Sequence, residues 1–95
     1  MTELELLRDK IDGIDRQMLA LFEERMAAAR LVASYKKAHK MEIFVPEREK
    51  AILRDRVSRL SDPTLAEATE EFFRHLMELS RQEQQKIVFS PEGKA

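Results

Sequence analysis

Apolar or small side chains recur along the first third of the chain at alternating steps of four and three: Leu7, Ile11, Ile14, Met18, Leu21, Ala28, Val32 and Tyr35, with Arg25 as the one charged member. That spacing is the seam of an α-helix packed lengthwise on other helices. Leu4 to Lys37 holds no proline and one glycine, Gly13, so the whole stretch is expected to form a single helix. At ~1.5 Å per residue it would be about 50 Å long, more than a compact domain of this size can cover, and something outside the monomer is expected to cover the rest. Thr2 and Glu5 fit a capping box that starts the helix near Glu3. Gly13 costs roughly 0.5–1 kcal/mol relative to alanine, and reads equally as the mark of a close backbone approach or as a tolerated surface glycine.

The helical pattern stops at His39. Ile43, Phe44 and Val45 are β-branched or aromatic, and Pro46 drives Val45 out of the helical region, so 39–45 is expected to be a connecting loop. Pro46 suits the first position of a second helix, with Glu47 and Glu49 in its positive first turn and Ala51, Ile52, Leu53, Val57 and Leu60 as its apolar side, to about residue 60. Ser61-Asp62-Pro63 repeats the punctuation and predicts a third helix from 63 to 88. That helix carries one stripe of Leu65, Phe72, Leu76 and Leu79 beside another of Phe73, Met77, Ser80, Gln84 and Ile87, in which Ser80 and Gln84 stand where apolar residues belong. The expected organisation is one domain over 1–88 and a flexible tail over 89–95.

Composition agrees with an all-α chain: 43% of residues are hydrophobic and 37% charged, with 2 glycines and 3 prolines. A chain of 95 residues buries only a modest core unless it oligomerises. The net charge of -1, with Lys36, Lys37, His39 and Lys40 as the only basic cluster, argues against nucleic acid as a partner. There is no cysteine, and neither His39 nor His75 has ligand-like neighbours, so no metal is expected. No basic-then-apolar leader and no run of ~20 apolar residues is present, and a cytoplasmic setting is expected.

The candidate chemistry lies in the polar residues that interrupt apolar faces. An arginine on a packing seam must be paired or must bind an anion, because an uncompensated buried charge costs several kcal/mol. Lys36 follows Arg25 by about three turns and leaves the helix on almost the same side. Each feature also fits a plain structural role when read alone. Arg25 could pair with a facing glutamate, and Lys36 could be a solvated helix end. Arg8, Arg48 and Glu49 could be surface charges, and Ser80 with Gln84 a hydrogen-bonded pair fixing register. Together they describe a donor-rich pocket with several cations, one carboxylate and a neutral amide, lacking a histidine base, a thiol or a serine–base pair. Such a set suits an anionic small molecule whose reaction needs positioning and charge stabilisation. Arg25 and Lys36, about 16 Å apart along the axis, could grip a small dicarboxylate between their long side chains.

In their order along the chain, Leu7-Arg8, Ile11-Asp12-Gly13-Ile14-Asp15, Glu24-Arg25, Val32-Ala33-Ser34-Tyr35-Lys36, Pro46-Glu47-Arg48-Glu49, and Ser80 with Gln84 resemble the all-helical chorismate mutases. The resemblance covers residues 4 to about 87. It implies three helices in an intertwined homodimer that converts chorismate to prephenate on the way to phenylalanine and tyrosine, without a cofactor. It further implies that Arg25 and the partner subunit's Arg8 bind the substrate carboxylates. Lys36 and Gln84 would donate to the ether oxygen, with Lys36 also meeting a carboxylate. Glu49 would hold the ring hydroxyl, and Arg48 and Ser80 would complete the lining. The family pattern has aspartate before the proline where this chain has Val45, which implies weaker substrate binding or Glu49 acting alone. Isochorismate-pyruvate lyases share this fold and have a small apolar residue near that position, while Glu49 and Ser80 favour the mutase. A non-catalytic helical dimerisation module is the alternative from another class.

Overall fold

The computed structural model describes residues 1–90. It contains three helices, α1 (Glu3–Ala38), α2 (Pro46–Ser58) and α3 (Ala66–Val88), with a 3-10 turn at Pro63–Leu65 leading into α3. The all-α architecture with a long first helix matches the pattern, and the residues of the expected tail beyond 90 lie outside the described residues.

Local chemistry sets each helix end. Thr2 Oγ1 accepts the Glu5 N–H at 3.2 Å, and the Glu5 carboxylate accepts the Thr2 N–H at 3.4 Å, closing the expected capping box. At the other end Lys40 has φ 53°, the Met41 N–H reaches the Lys36 carbonyl at 2.8 Å and the Lys40 N–H reaches that of Lys37 at 3.4 Å. This is a Schellman closure with lysine at the position that favours glycine. Helix α2 stops two residues short of the expected boundary, because the Arg59 and Leu60 N–H groups turn back to the Arg56 and Val57 carbonyls at 3.2 Å and tighten the last turn. The third helix begins later than 63. Asp62 accepts both the Thr64 N–H at 3.0 Å and the Thr64 hydroxyl at 2.6 Å, which holds 63–65 in a tighter turn before α geometry begins at Ala66.

Arg30 pairs with Glu83 at 3.0 Å, and the Lys37 ammonium donates to the Ser90 carbonyl at 2.9 Å, so α3 runs parallel to α1. Lys37 thereby supplies a cation at the C-terminal end of α3. Glu49 pairs with Arg81 while the Arg56 guanidinium lies 5.9 Å from the Phe73 ring centroid, so α2 runs antiparallel to α3. The molecule measures 56 × 33 × 14 Å, and a helix with its side chains is about 10–12 Å across, so the three helices form little more than a single layer. Its radius of gyration of 17.2 Å exceeds the roughly 12–13 Å of a compact domain of this length.

Burial shows where that layer is finished. Met26, Ala29, Ala33 and Met77 form the apolar core, with Ser80 and Gln84 buried beside them. The core stripe on α1 is therefore displaced by one residue from the heptad seam, and the alanines let α3 approach closely. Along Glu3–Glu24 no side chain is buried, and Leu7, Ile11, Ile14, Met18 and Leu21 are all exposed. Among the described residues these four are the fully buried apolar side chains, a small core for a chain of this length. At Gly13 a Cβ would meet only the Arg16 guanidinium at 3.8 Å, so among the described residues no backbone from another element approaches it. Among the described residues, no helix is long and apolar enough to cross a membrane.

Candidate active site

A cavity of about 450 Å³ opens where the three helices meet, and six of the seven candidate residues line it. Helix α1 supplies Arg25 and Lys36, the first turn of α2 supplies Arg48 and Glu49, and α3 supplies Ser80 and Gln84. Arg8 does not join them: it lies exposed near the far end of α1. A larger apolar groove of about 720 Å³, which includes Met18, Leu21, Phe72 and Phe73, has no comparable set of donors, but it also reaches Arg25.

Arg25 is half-buried, and no carboxylate lies within ion-pair distance of it, so the structural salt bridge open to it in the sequence is not formed among the described residues. Burial first, and then the Arg56 charge, push its guanidinium below the usual arginine range. Both effects reflect a cation that an incoming anion would stabilise. Lys36 is half-buried as well, and its ammonium donates to the Ile43 carbonyl at 2.9 Å, which holds it against the cavity with further protons available to a ligand.

Ser80 and Gln84 are 7% and 8% exposed, and the Gln84 amide nitrogen donates to Ser80 Oγ at 3.3 Å. In that orientation Gln84 Oε1 is buried without a partner. Amide oxygen and nitrogen are nearly isosteric, and turning the amide over lets the Ser80 hydroxyl donate to Oε1 while Nε2 becomes a free donor into the cavity. It exchanges the unpartnered buried acceptor for an unpartnered donor, which an acceptor atom on a ligand would satisfy.

The sequence reading missed Arg81. It lines the cavity, its Nη1 donates to both Glu49 carboxylate oxygens, and its guanidinium stacks 4.5 Å from the Phe44 ring centroid. Among the described residues Glu49 is the only carboxylate on the lining, beside four cations. A lone acid in such company implies a cationic partner, and that was the available signal. Val45 lies on the same wall; it caps α2 through its backbone carbonyl alone, with no side-chain bond.

A family model described as Chorismate mutase type II matches residues 7–85. The chain belongs to the type II chorismate mutase family. Relatives of this chorismate mutase domain are parts of larger proteins. It is similar to the T-protein of Haemophilus influenzae, 39% identical over 56 residues, which are 59% of this chain and 15% of that protein. The bifunctional chorismate mutase/prephenate dehydratase of Aquifex aeolicus is 39% identical over 61 residues, 64% of this chain and 17% of that protein. The T-protein of Enterobacter agglomerans is 38% identical over 56 residues, and the chain thus spans less than a fifth of the length of these relatives.

Proposed function

We propose that this chain catalyses the intramolecular rearrangement of chorismate to prephenate as a cytoplasmic homodimer with shared active sites. The observation that carries the reading is the convergence of Arg25, Lys36, Arg48, Glu49, Ser80 and Gln84 on one cavity, from three helices, in a member of this family. The reaction breaks a C–O bond and forms a C–C bond within one molecule, so the protein need supply neither a base nor a nucleophile. It can hold the chair-like conformer and stabilise the negative charge that builds on the ether oxygen. Arg25, with Arg48, takes substrate carboxylate. Lys36 and the reoriented Gln84 amide donate to the ether oxygen, and Glu49 accepts from the ring hydroxyl.

The dimer is part of the reading. The exposed Leu7–Leu21 seam, the one-layer shape and the apolar groove that ends at Arg25 all favour a second copy lying along the N-terminal half of α1. Such a copy would bring its own Arg8 toward the site and help shield Arg25 from water. Incubating the pure protein with chorismate and following the ultraviolet absorbance tests the activity: no conversion above the spontaneous rate overturns it. Release of pyruvate from isochorismate, without chorismate turnover, would assign the protein to the lyases instead.

A further inference from the structure

Arg81 occupies a place in the cavity that binding of a dicarboxylate does not by itself explain. Its guanidinium is held on two sides, by the Glu49 carboxylate and by the Phe44 ring, so it ties α3 to the first turn of α2 and to the connecting segment. Both members of the pair are largely withdrawn from water, with side chains 26% and 20% exposed. Glu49 shares the cavity with Arg25, Lys36 and Arg48, whose charges suit a dianion, yet a bare carboxylate in the same partly desolvated space would repel that dianion. Nη1 meets both Glu49 oxygens and leaves their remaining lone pairs open.

We propose that Arg81 is a positioning residue of this site: it fixes the Glu49 carboxylate on the cavity wall and cancels its charge, so that a dicarboxylate can enter and present a hydroxyl to it. The inference rests on the chorismate mutase reading. It gives the wall that carries Val45 a single acceptor, held by a partner on the neighbouring helix. Removing Arg81 acts on substrate binding through Glu49, because the interaction is made alike in ground and transition states.

The test is steady-state kinetics on chorismate with Arg81→Met, Arg81→Lys, Glu49→Gln and the Arg81→Met/Glu49→Gln double variant, each with a melting temperature. Arg81→Met should raise KM about 10-fold while kcat changes less than about 3-fold, equivalent to about 1.4 kcal/mol of binding. Arg81→Lys, which keeps one charged nitrogen for both oxygens, should recover most of that loss. In the Glu49→Gln background Arg81→Met should add nothing, since the charge it cancels is gone. If Arg81→Met does not fold, Arg81→Gln, which keeps an uncharged N–H donor for Glu49, takes its place. A lower melting temperature with unchanged KM would reduce the pair to a structural tie and overturn the proposal. Additive losses in the double variant would make Arg81 a direct substrate ligand and overturn it too. Wild-type protein that fails to turn over chorismate overturns the function and this inference together, whereas active wild type with indifferent Arg81 variants overturns the inference alone.

Discussion

The two halves of α1 are made of similar residues and end in opposite conditions. From Met26 to Ala33 the helix is packed by α3, and Arg25 and Lys36 on the adjoining face look into a cavity closed by α2 and α3. From Leu7 to Leu21 an equally regular apolar seam lies open, with Leu21 63% and Met18 47% exposed. Regular heptad spacing therefore does not say which surface will cover a helix. In the C-terminal half, small residues one position off the seam receive α3, and the seam itself becomes the pocket wall.

The largest effect should come from the finished half. Arg25→Ala removes a half-buried cation with no carboxylate partner among the described residues, so it should leave the fold nearly intact while lowering kcat/KM about 10²–10³-fold. Steady-state kinetics beside a thermal melt checks this. A large fall in melting temperature with little kinetic loss would return Arg25 to a structural role and favour a helical dimerisation module.

The open half makes a sharper prediction, because the isolated chain and a dimer disagree about it. On an exposed position Met18→Glu should change stability by no more than about 0.5 kcal/mol. Beneath a second copy it buries an unpaired charge and should cost more than about 2 kcal/mol, with dissociation seen by sedimentation. Unchanged stability and mass would break the comparison, since the seam would then be plain surface.

Arg8 links the halves. If it serves the neighbouring subunit's pocket, Arg8→Ala and Arg25→Ala are each nearly inactive alone, but a mixed dimer contains one intact site. Random reassociation of equal amounts should then recover about a quarter of wild-type activity per chain. Recovery no greater than the sum of the separate variants would remove Arg8 from the shared site.

These outcomes bear on what a single sequence can disclose. The three helices, the capping box and the polar breaks that come to line one cavity were legible, because periodicity, proline placement and interruptions of apolar stripes are local signals. The helix start after Pro63 was displaced, since the Asp62–Thr64 turn decides it through geometry that a proline signal does not contain. The Met26-Ala29-Ala33 stripe was hidden because alanine is weakly apolar and a stronger seam runs beside it. Arg81 sits one residue beyond Ser80 and reads as surface; only the fold sets it against Glu49 and Phe44. Arg8 stays outside the site because one chain cannot bring the far end of a helix of this length to its own pocket.

A smaller effect should appear at Val45, where the cavity wall and the start of α2 coincide. Its side chain offers no cap, so Val45→Asp should satisfy a free N–H of the first turn and stabilise the fold by about 1 kcal/mol. The melting temperature would rise by roughly 4–8 °C. A fall would mean that the new carboxylate is too desolvated among the pocket residues to act as a cap.

The smallest effect tests the seal of the finished half. Among the described residues, Arg30–Glu83 is the one ion pair joining α1 to α3, and Lys86 shares the same carboxylate at 2.7 Å. Lys86 first, and then Arg30, hold the Glu83 carboxyl below the usual glutamate range. A carboxylate depressed in the folded state contributes stability above its unfolded pKa, and that contribution is lost as the pH falls through the lower folded value. Glu83→Gln should therefore melt slightly below wild type at neutral pH. The difference should shrink as the pH drops below about 4 and disappear once both states are protonated. High salt should reduce it too, because the Arg30 side chain is 54% exposed. A difference independent of pH would place the contribution of Glu83 in packing of its aliphatic stem, beside the burial of Met26, Ala29 and Ala33.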